Sequence, residues 1–152
     1  MTDVAPLTHT RGRFSVSTDP ARLDVDAVHA YLTRSYWSPG VPRAVVERAV
    51  RGSLPFGLYD GDAQVGFARV ITDAATFAYL ADVYVLEAYQ GRGLGGWLMD
   101  CVLAHPALQG LRRWLLTTQD AHAFYERLGF VRAPFPERFM TIDRPDLYRD
   151  AG

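Results

Sequence analysis

The segment Gln90-Gly91-Arg92-Gly93-Leu94-Gly95-Gly96 constrains the fold more than any other part of this chain. It follows a run rich in tyrosine and valine, Phe77 to Val85, and it precedes an apolar stretch with helical spacing. This succession predicts a strand, a glycine-rich turn and a helix. Glycines carry no Cβ, so consecutive backbone N–H groups can converge on one concavity. The first helical turn adds free N–H groups and partial positive charge, so we predict an anion site suited to phosphate, which Arg92 could supplement.

Three other interpretations of this turn have to be considered. A glycine cluster can simply cap a helix. A P-loop needs Lys and then Ser or Thr after its last glycine, whereas Trp97 follows Gly96, so that interpretation fails. Residues 91–96 do match the dinucleotide pattern G-x-G-x-x-G, but four residues separate Leu86 from Gly91, and several strands come first. Because a dinucleotide fold places this turn directly after its strand, an NAD(P)-binding oxidoreductase stays only an alternative.

Hydrophobic periodicity along the chain predicts an α/β (α+β) fold of one domain, residues 1–152, with residues 1–11 as a flexible leader. The predicted strands are residues 14–17, 54–59, 64–72, 77–85, 114–118, 130–131 and 139–142. The predicted helices run from Asp19 to about Ser35, from Pro42 onward, from 94 to about 105, and from 121 to 128. The order β-α-α-β-β-β-α-β-α-β-β makes a mixed sheet with helices on it.

Composition narrows the classes of function. The chain has 152 residues and a formal charge of -1, so no global field favours nucleic acid. No apolar stretch is long enough to cross a bilayer, and the N-terminus lacks the pattern of a secretory signal. Cys101 stands alone, so it cannot form an intrachain disulfide, and the four histidines show no metal spacing. We therefore expect no metal, no nucleic-acid or membrane partner, and a reducing compartment, the cytoplasm.

Two motifs in the correct order make the chain resemble the GNAT superfamily of N-acetyltransferases. The family signature, Gln or Arg, two residues, Gly, one residue, Gly or Ala, is filled by Gln90, Gly93 and Gly95. Downstream, residues 121–130 resemble the late helix of the family, which ends in Tyr-x-x-x-Gly-Phe. Upstream, residues 82–85 resemble the strand that leads into the signature. The resemblance implies a GNAT-like, mostly antiparallel sheet flanked by helices, and acetyl-CoA as cosubstrate.

The resemblance also implies where acetyl-CoA binds. The main chain of the strand would hold the pantetheine arm, and the glycine-rich turn would hold the phosphates. Family members often carry Asn near the end of the strand before the late helix, where this chain has Thr118, so a side-chain contact at that place is an open question. The implied cofactor-binding residues are Val83, Tyr84, Val85, Gln90, Gly91, Arg92, Gly93, Leu94, Gly95, Gly96, Thr118 and Phe124.

Acetyl transfer from a thioester needs a neutral amine, a stabilised oxyanion and protonation of the departing thiolate. Tyr125 lies where the family has its proton-donor tyrosine, and a phenol with a pKa of about 10 is matched to an alkyl thiolate. A packed helix tyrosine is the alternative for this residue. Asp82, beside the presumed reaction centre, is the candidate general base. It could equally be a hydrogen-bonded structural carboxylate, with proton removal through water.

The acceptor pocket is predicted from aromatic residues near the first two helices and the C-terminal region: Tyr36, Trp37, Tyr79 and Phe139. With no basic face and no peptide-binding feature, a small-molecule primary amine is the expected acceptor, attacking directly in a ternary complex. A non-catalytic acetyl-CoA sensor with the same fold is the alternative. A homodimer is left open.

Overall fold

The structure, a computed structural model, describes residues 5–149. Its six strands form one sheet in the order β1-β2-β3-β4-β5-β6, antiparallel throughout except for the parallel pair β5-β6. The strands are β1 Thr8–Arg11, β2 Phe14–Ser17, β3 Leu54–Asp60, β4 Ala63–Thr72, β5 Phe77–Val85 and β6 Arg113–Leu115. The helices are α1 Val25–Leu32, α2 Arg43–Arg51, α3 Leu94–Leu103 and α4 His122–Arg127. The predicted class, a mostly antiparallel mixed sheet flanked by helices, is confirmed.

The sheet separates two clusters of buried apolar side chains. The α3 cluster joins α3, through Leu98, Met99 and Val102, to strand residues such as Phe56 and Leu80. The α1–α2 cluster joins α1 and α2 to the opposite face of β4 and β5, and it comprises Val28, Leu32, Val41, Val46, Val50, Phe67 and Tyr84. Burial of these side chains is the main force holding the helices on the sheet.

The first helix is shorter than predicted because two aspartates compete to start it. The Asp19 side chain accepts a hydrogen bond from Ala21 N, but it caps only the single 3-10 turn Pro20–Arg22. The Asp24 side chain accepts from Ala27 N at 3.0 Å and caps α1 itself. A side-chain oxygen at this position satisfies one of the free N–H groups of the first turn, so the helix begins at Val25.

Both ends of the chain differ from the prediction. Thr8–Arg11 is not part of a loose leader but an edge strand paired with β2, while residues 1–4 lie outside the described residues. The predicted strand 114–118 is the shorter Arg113–Leu115. The predicted strands 130–131 and 139–142 are wrong, since neither segment is a strand in the structure. Pro134 and Pro136 lack an N–H, which breaks any ladder through that region. Within residues 5–149, no helix has the length and apolar character that a bilayer crossing needs.

Candidate active site

A β-bulge in β5 forms the centre of the site. Phe67 pairs with Tyr84 and Arg69 pairs with Ala81, so β5 has one more residue than β4 over this stretch. Asp82 lies in this bulge and has φ 57°. This is the left-handed region, which non-glycine residues adopt only when their surroundings hold them there. Bulges of this kind re-aim side chains and bend the strand.

Beyond Tyr79, where the β5–β6 ladder ends, one edge of β5 is free. β6 pairs in parallel with β5 only from Phe77 to Tyr79, and within residues 5–149 no strand pairs with β5 on this side beyond Tyr79. At the point where the strands part, the Tyr79 hydroxyl lies 3.0 Å from Thr117 Oγ1. The backbone N–H and C=O groups of this edge therefore face a cleft between β5 and the chain that follows β6. The sequence could not show this opening of the sheet.

The glycine-rich turn closes one end of this cleft. Gly91 and Gly93 have φ 78° and 77°, and α3 begins at Leu94 directly after them. The N–H groups of residues 91–96 donate to no backbone carbonyl within residues 5–149. A Cβ built on Gly91, Gly93 or Gly96 would meet no atom within 4 Å. The turn is thus an open set of N–H donors at a helix N-terminus, an arrangement suited to an anion.

Neighbouring side chains fix the position of this turn. Gln90 Nε2 donates to the Val85 carbonyl at 2.9 Å, which ties the turn to the end of β5. A Cβ on Gly95 would lie 3.7 Å from the Phe124 ring, so α3 and α4 approach closely here. The Arg92 guanidinium donates to the Ala88 carbonyl at 3.3 Å and lies over the Tyr89 ring.

Tyr125 lies on the short helix α4, on the other side of the cleft. Its ring packs edge-on against Phe124 and Phe130, with centroid distances of 5.0 and 5.8 Å. Burial raises the pKa of Tyr125 to about 12, and the nearby Tyr36 and Asp120 side chains add to the shift. The phenol is therefore protonated at every physiological pH.

The Asp82 carboxylate is held from two sides. Oδ2 accepts from Arg69 Nε at 2.6 Å, and Oδ1 accepts from the Trp37 indole N–H at 2.8 Å. The Asp82 and Arg69 side chains are only 9% and 16% exposed. Arg69 also donates to Ser53 Oγ at 2.9 Å. The bulge is thereby linked to the α1–α2 loop and to the start of β3.

Both residues of this pair also border a cavity of about 80 Å³ between α2 and β5. Its other walls are four apolar side chains of α2, together with Leu32, Ser38, Val41 and Tyr148. The backbone of Tyr148 packs directly on Gly40, where a Cβ would lie 2.9 Å from the Tyr148 carbonyl oxygen.

The structure brings three of the four predicted acceptor residues to this side of the sheet. The Tyr36 hydroxyl accepts from Gln119 N at 3.0 Å, and the Trp37 ring lies 5.1 Å from the Tyr36 ring. Tyr79 lies where β5 and β6 part. Phe139 does not join them, because it lines a separate groove formed by β6 and residues 128–139.

Two details of the site differ from the expectation or were missed. Thr118 Oγ1 accepts from Ala121 N at 3.1 Å, so its hydroxyl is already used at the start of α4. Arg69 was missed, although a charged residue between Ala68 and Val70 in an otherwise apolar strand is a signal of a buried pair. Gln119 and Ser53 gave no comparable signal.

A bulged strand with an open edge, ending in a turn of unpaired N–H groups beside a partly buried tyrosine, is the arrangement of an acyltransferase. Residues 51–132 match the family described as "Acetyltransferase (GNAT) domain". The chain belongs to this family, the GNAT acetyltransferases.

Individual relatives agree with the family assignment. The Gibberella zeae protein named "Putative acetyltransferase FG08082" is 41% identical over 148 residues, which cover 82% of each chain. A crystal structure of a GNAT family protein from Xanthomonas campestris pv. campestris is 49% identical, with a TM-score of 0.87 over 89% of this chain and 96% of that one. Rv2747 from Mycobacterium tuberculosis, solved with CoA and NLQ, is 20% identical, with a TM-score of 0.58 over 74% of this chain and 70% of that chain, a likeness of fold alone.

Proposed function

We propose that this protein is an acetyl-CoA-dependent N-acetyltransferase that acetylates a primary amine of a small molecule by direct attack in a ternary complex. The observation that carries this proposal is the free edge of β5, which leads from the bulge at Asp82 straight to the unpaired N–H groups of residues 91–96. The cytoplasm is the proposed location.

The residues present fit acetyl-CoA. The N–H and C=O groups of Val83 and Val85 would hold the pantetheine arm in the manner of an added strand. Tyr84, which was also expected to contact the cofactor, directs its carbonyl to β4 instead. Residues 91–96 would hold the pyrophosphate, and Arg92 can leave Tyr89 to pair with it because its guanidinium is exposed. Gln90 acts by holding the turn against Val85, and Phe124 supports Gly95. We assign Thr118 to holding the backbone of Ala121, the residue just before α4.

The cosubstrate would supply a thioester whose sulfur leaves as a thiolate, and Tyr125 is the group proposed to stabilise it. Its raised pKa, about 12, changes the expected role. Complete proton transfer to an alkyl thiolate with a pKa of about 8.5 would be unfavourable by about 5 kcal/mol, at 1.36 kcal/mol per pKa unit. We therefore assign Tyr125 a hydrogen bond to the sulfur, with the proton remaining on its phenol oxygen as negative charge develops.

Asp82 is proposed to bind the acceptor and to take its proton. Each carboxylate oxygen has a second lone pair after accepting from Arg69 and Trp37, so an ammonium group can still bind. The two protein donors would hold the carboxylate in place for that contact. Tyr36, Trp37 and Tyr79 would form the walls around the acceptor.

The Tyr125→Phe variant tests this proposal. A hydrogen bond to a charged partner contributes about 1.5–3 kcal/mol, so kcat should fall roughly 10- to 100-fold. The Kd for acetyl-CoA should stay within about two-fold of wild type, measured by calorimetry. Tyr59→Phe is the matched control, since it removes the same hydroxyl from a buried position away from the cleft. An equal loss of kcat and of cofactor affinity in Tyr125→Phe would contradict the role assigned to Tyr125.

One observation favours a second candidate, a sensor that binds acetyl-CoA without chemistry: both oxygens of Asp82 already have protein partners. A panel of primary amines assayed for thiol release separates the two functions. Acetyl-CoA binding with no thiol release for any amine would favour the sensor, whereas release that depends on one amine supports the transferase.

A further inference from the structure

Residues 131–147, which we call the C-terminal arch, expose a band of large apolar side chains. Six of them are exposed: Val131, Phe135, Phe139, Met140, Ile142 and Leu147. Met140 and Ile142 are 95% and 88% exposed. The arch is fixed at both ends, because Phe130 packs against the α3 cluster and Tyr148 against the α1–α2 cluster. An apolar band of this size on a chain that is fixed at both ends marks an interaction surface.

The strand beside the arch has free backbone groups along its outer edge. β6 is the last strand of the sheet, and within residues 5–149 its outer edge has no partner. Between β6 and the arch lies a groove of about 570 Å³, lined largely by apolar side chains such as Trp114, Leu115, Leu128 and Phe135. A free strand edge next to an apolar groove is a template for an added strand.

The arch contains a segment suited to be that strand. Residues 139–142, Phe-Met-Thr-Ile, are rich in residues that favour strands. Yet the backbone hydrogen bonds that the arch forms within residues 5–149 are local turns, such as Phe139 N to Pro136 O at 3.1 Å. Pro134 and Pro136 just before the segment lack N–H donors and stiffen the chain. The arch therefore stands away from its own β6, with the groove between them.

We propose that two copies of this chain associate through this groove, with residues 139–142 of each copy pairing with β6 of the other. Each copy carries both the strand and the edge that receives it, so a two-fold axis satisfies both contacts at once. The exposed fractions of the six side chains together amount to about four whole side chains. At ~150–200 Å² for each whole side chain, burying them would remove roughly 700 Å² per copy. The total, about 1,400 Å², lies in the range of specific protein interfaces.

The charges of the arch favour a second copy over other partners. Its three arginines, Arg132, Arg138 and Arg144, are balanced by Glu137, Asp143 and Asp146. Because the arch has no net charge, it attracts neither a polyanion nor an anionic membrane surface. For the same reason, the arches of two copies do not repel one another electrostatically.

Sedimentation velocity between about 1 and 100 µM, a range typical of such association, tests the proposal. We expect a species of about twice the 17.0 kDa chain mass. The double variant Met140→Lys, Ile142→Lys should sediment as the single chain, with its dimer Kd raised at least about 100-fold. Both side chains are exposed, so near-ultraviolet circular dichroism should not change. Thr141→Lys is the control, since it adds one positive charge to the same segment without removing an apolar contact, and it should still dimerise.

Hydrogen exchange of wild type provides a second measurement that needs no variant. Protection of the amides of β6 should rise with protein concentration. A wild-type monomer at 100 µM with protected β6 amides would mean that the chain closes on its own sheet, which overturns the proposal. A monomer with unprotected amides, or a dimer that the double variant does not weaken, overturns it as well.

Discussion

A comparison of Gly93→Glu with Gly93→Gln tests whether the glycine-rich turn binds the negatively charged phosphates of CoA. Gly93 has φ 77°, so either side chain places a non-glycine residue in the left-handed region, at a cost of about 1–2 kcal/mol. A Cβ there meets no atom within 4 Å, so neither side chain collides with the protein. The backbone strain is the same in the two variants and lowers their free energy of unfolding equally. The difference in CoA affinity between the two variants therefore measures the effect of the added carboxylate charge.

The size of that difference follows from Coulomb's law. A carboxylate about 6 Å from a phosphate charge, at an effective dielectric constant of about 40–80 for this exposed turn, is repelled by ~0.7–1.4 kcal/mol. The pyrophosphate of CoA carries two such charges, so the Glu variant should bind CoA more weakly than the Gln variant by about 1.5–3 kcal/mol. That is a ratio of Kd values of roughly 10–100.

Isothermal titration with CoA, which is not turned over, measures this ratio directly. At about 0.5 M salt the ratio should shrink relative to about 0.05 M, because the Debye length falls below the separation of the charges. The Gln variant and wild type should share the same salt dependence. Equal affinities of the Glu and Gln variants for CoA at low salt would show that the phosphates bind elsewhere, and the assignment of residues 91–96 would be refuted.

Two further predictions concern a core hydroxyl and the proposed acceptor site. The Tyr59 hydroxyl is buried without a hydrogen-bond partner within residues 5–149, so Tyr59→Phe should raise the free energy of unfolding by about 1 kcal/mol at pH 7 in urea titrations. Burial raises the pKa of Tyr59 to about 12, above the value of about 10 in the unfolded chain. Wild type should therefore lose stability between pH 10 and 12, and the stability advantage of Tyr59→Phe should increase over this range. A Tyr59→Phe variant that is less stable than wild type would contradict this reasoning. Asp82→Asn keeps an acceptor for Trp37 but removes the charge proposed to bind an ammonium, so the KM of the amine should rise about 10-fold or more at unchanged Kd for acetyl-CoA. Unaltered amine kinetics in Asp82→Asn would assign Asp82 a structural role alone.

The central strands and the glycine-rich turn could be predicted because their signals are local. Residues 54–60, 63–72 and 77–85 combine strand-forming residues with turn residues between them, and the structure has strands there. The strand-turn-helix succession at residues 85–94 follows from glycines that adopt φ near 78°. The helix at residues 94–103 follows from its apolar spacing.

The parts that could not be predicted depend on distant partners. β1 is the polar sequence Thr-His-Thr-Arg and becomes a strand only because β2 presents a free edge to it. The bulge at Asp82 depends on the register with β4, and the Arg69–Asp82 pair depends on that bulge. Residues 139–142 have the composition of a strand but no partner strand within residues 5–149, so local propensity gave the wrong answer there.

The bulge at Asp82 also decides which residues of β5 face each of the two clusters. Ala78 and Leu80 belong to the α3 cluster, whereas Tyr84 belongs to the α1–α2 cluster, although two-residue alternation alone would put all three on one face. The additional residue inverts the alternation midway along the strand. Because Val83 and Val85 pack on the α3 cluster beside Ala78 and Leu80, deletion of Asp82 would leave a regular strand with Tyr84 still opposite Phe67. Such a deletion would keep both clusters in place while removing the bulge and the carboxylate that Arg69 and Trp37 contact.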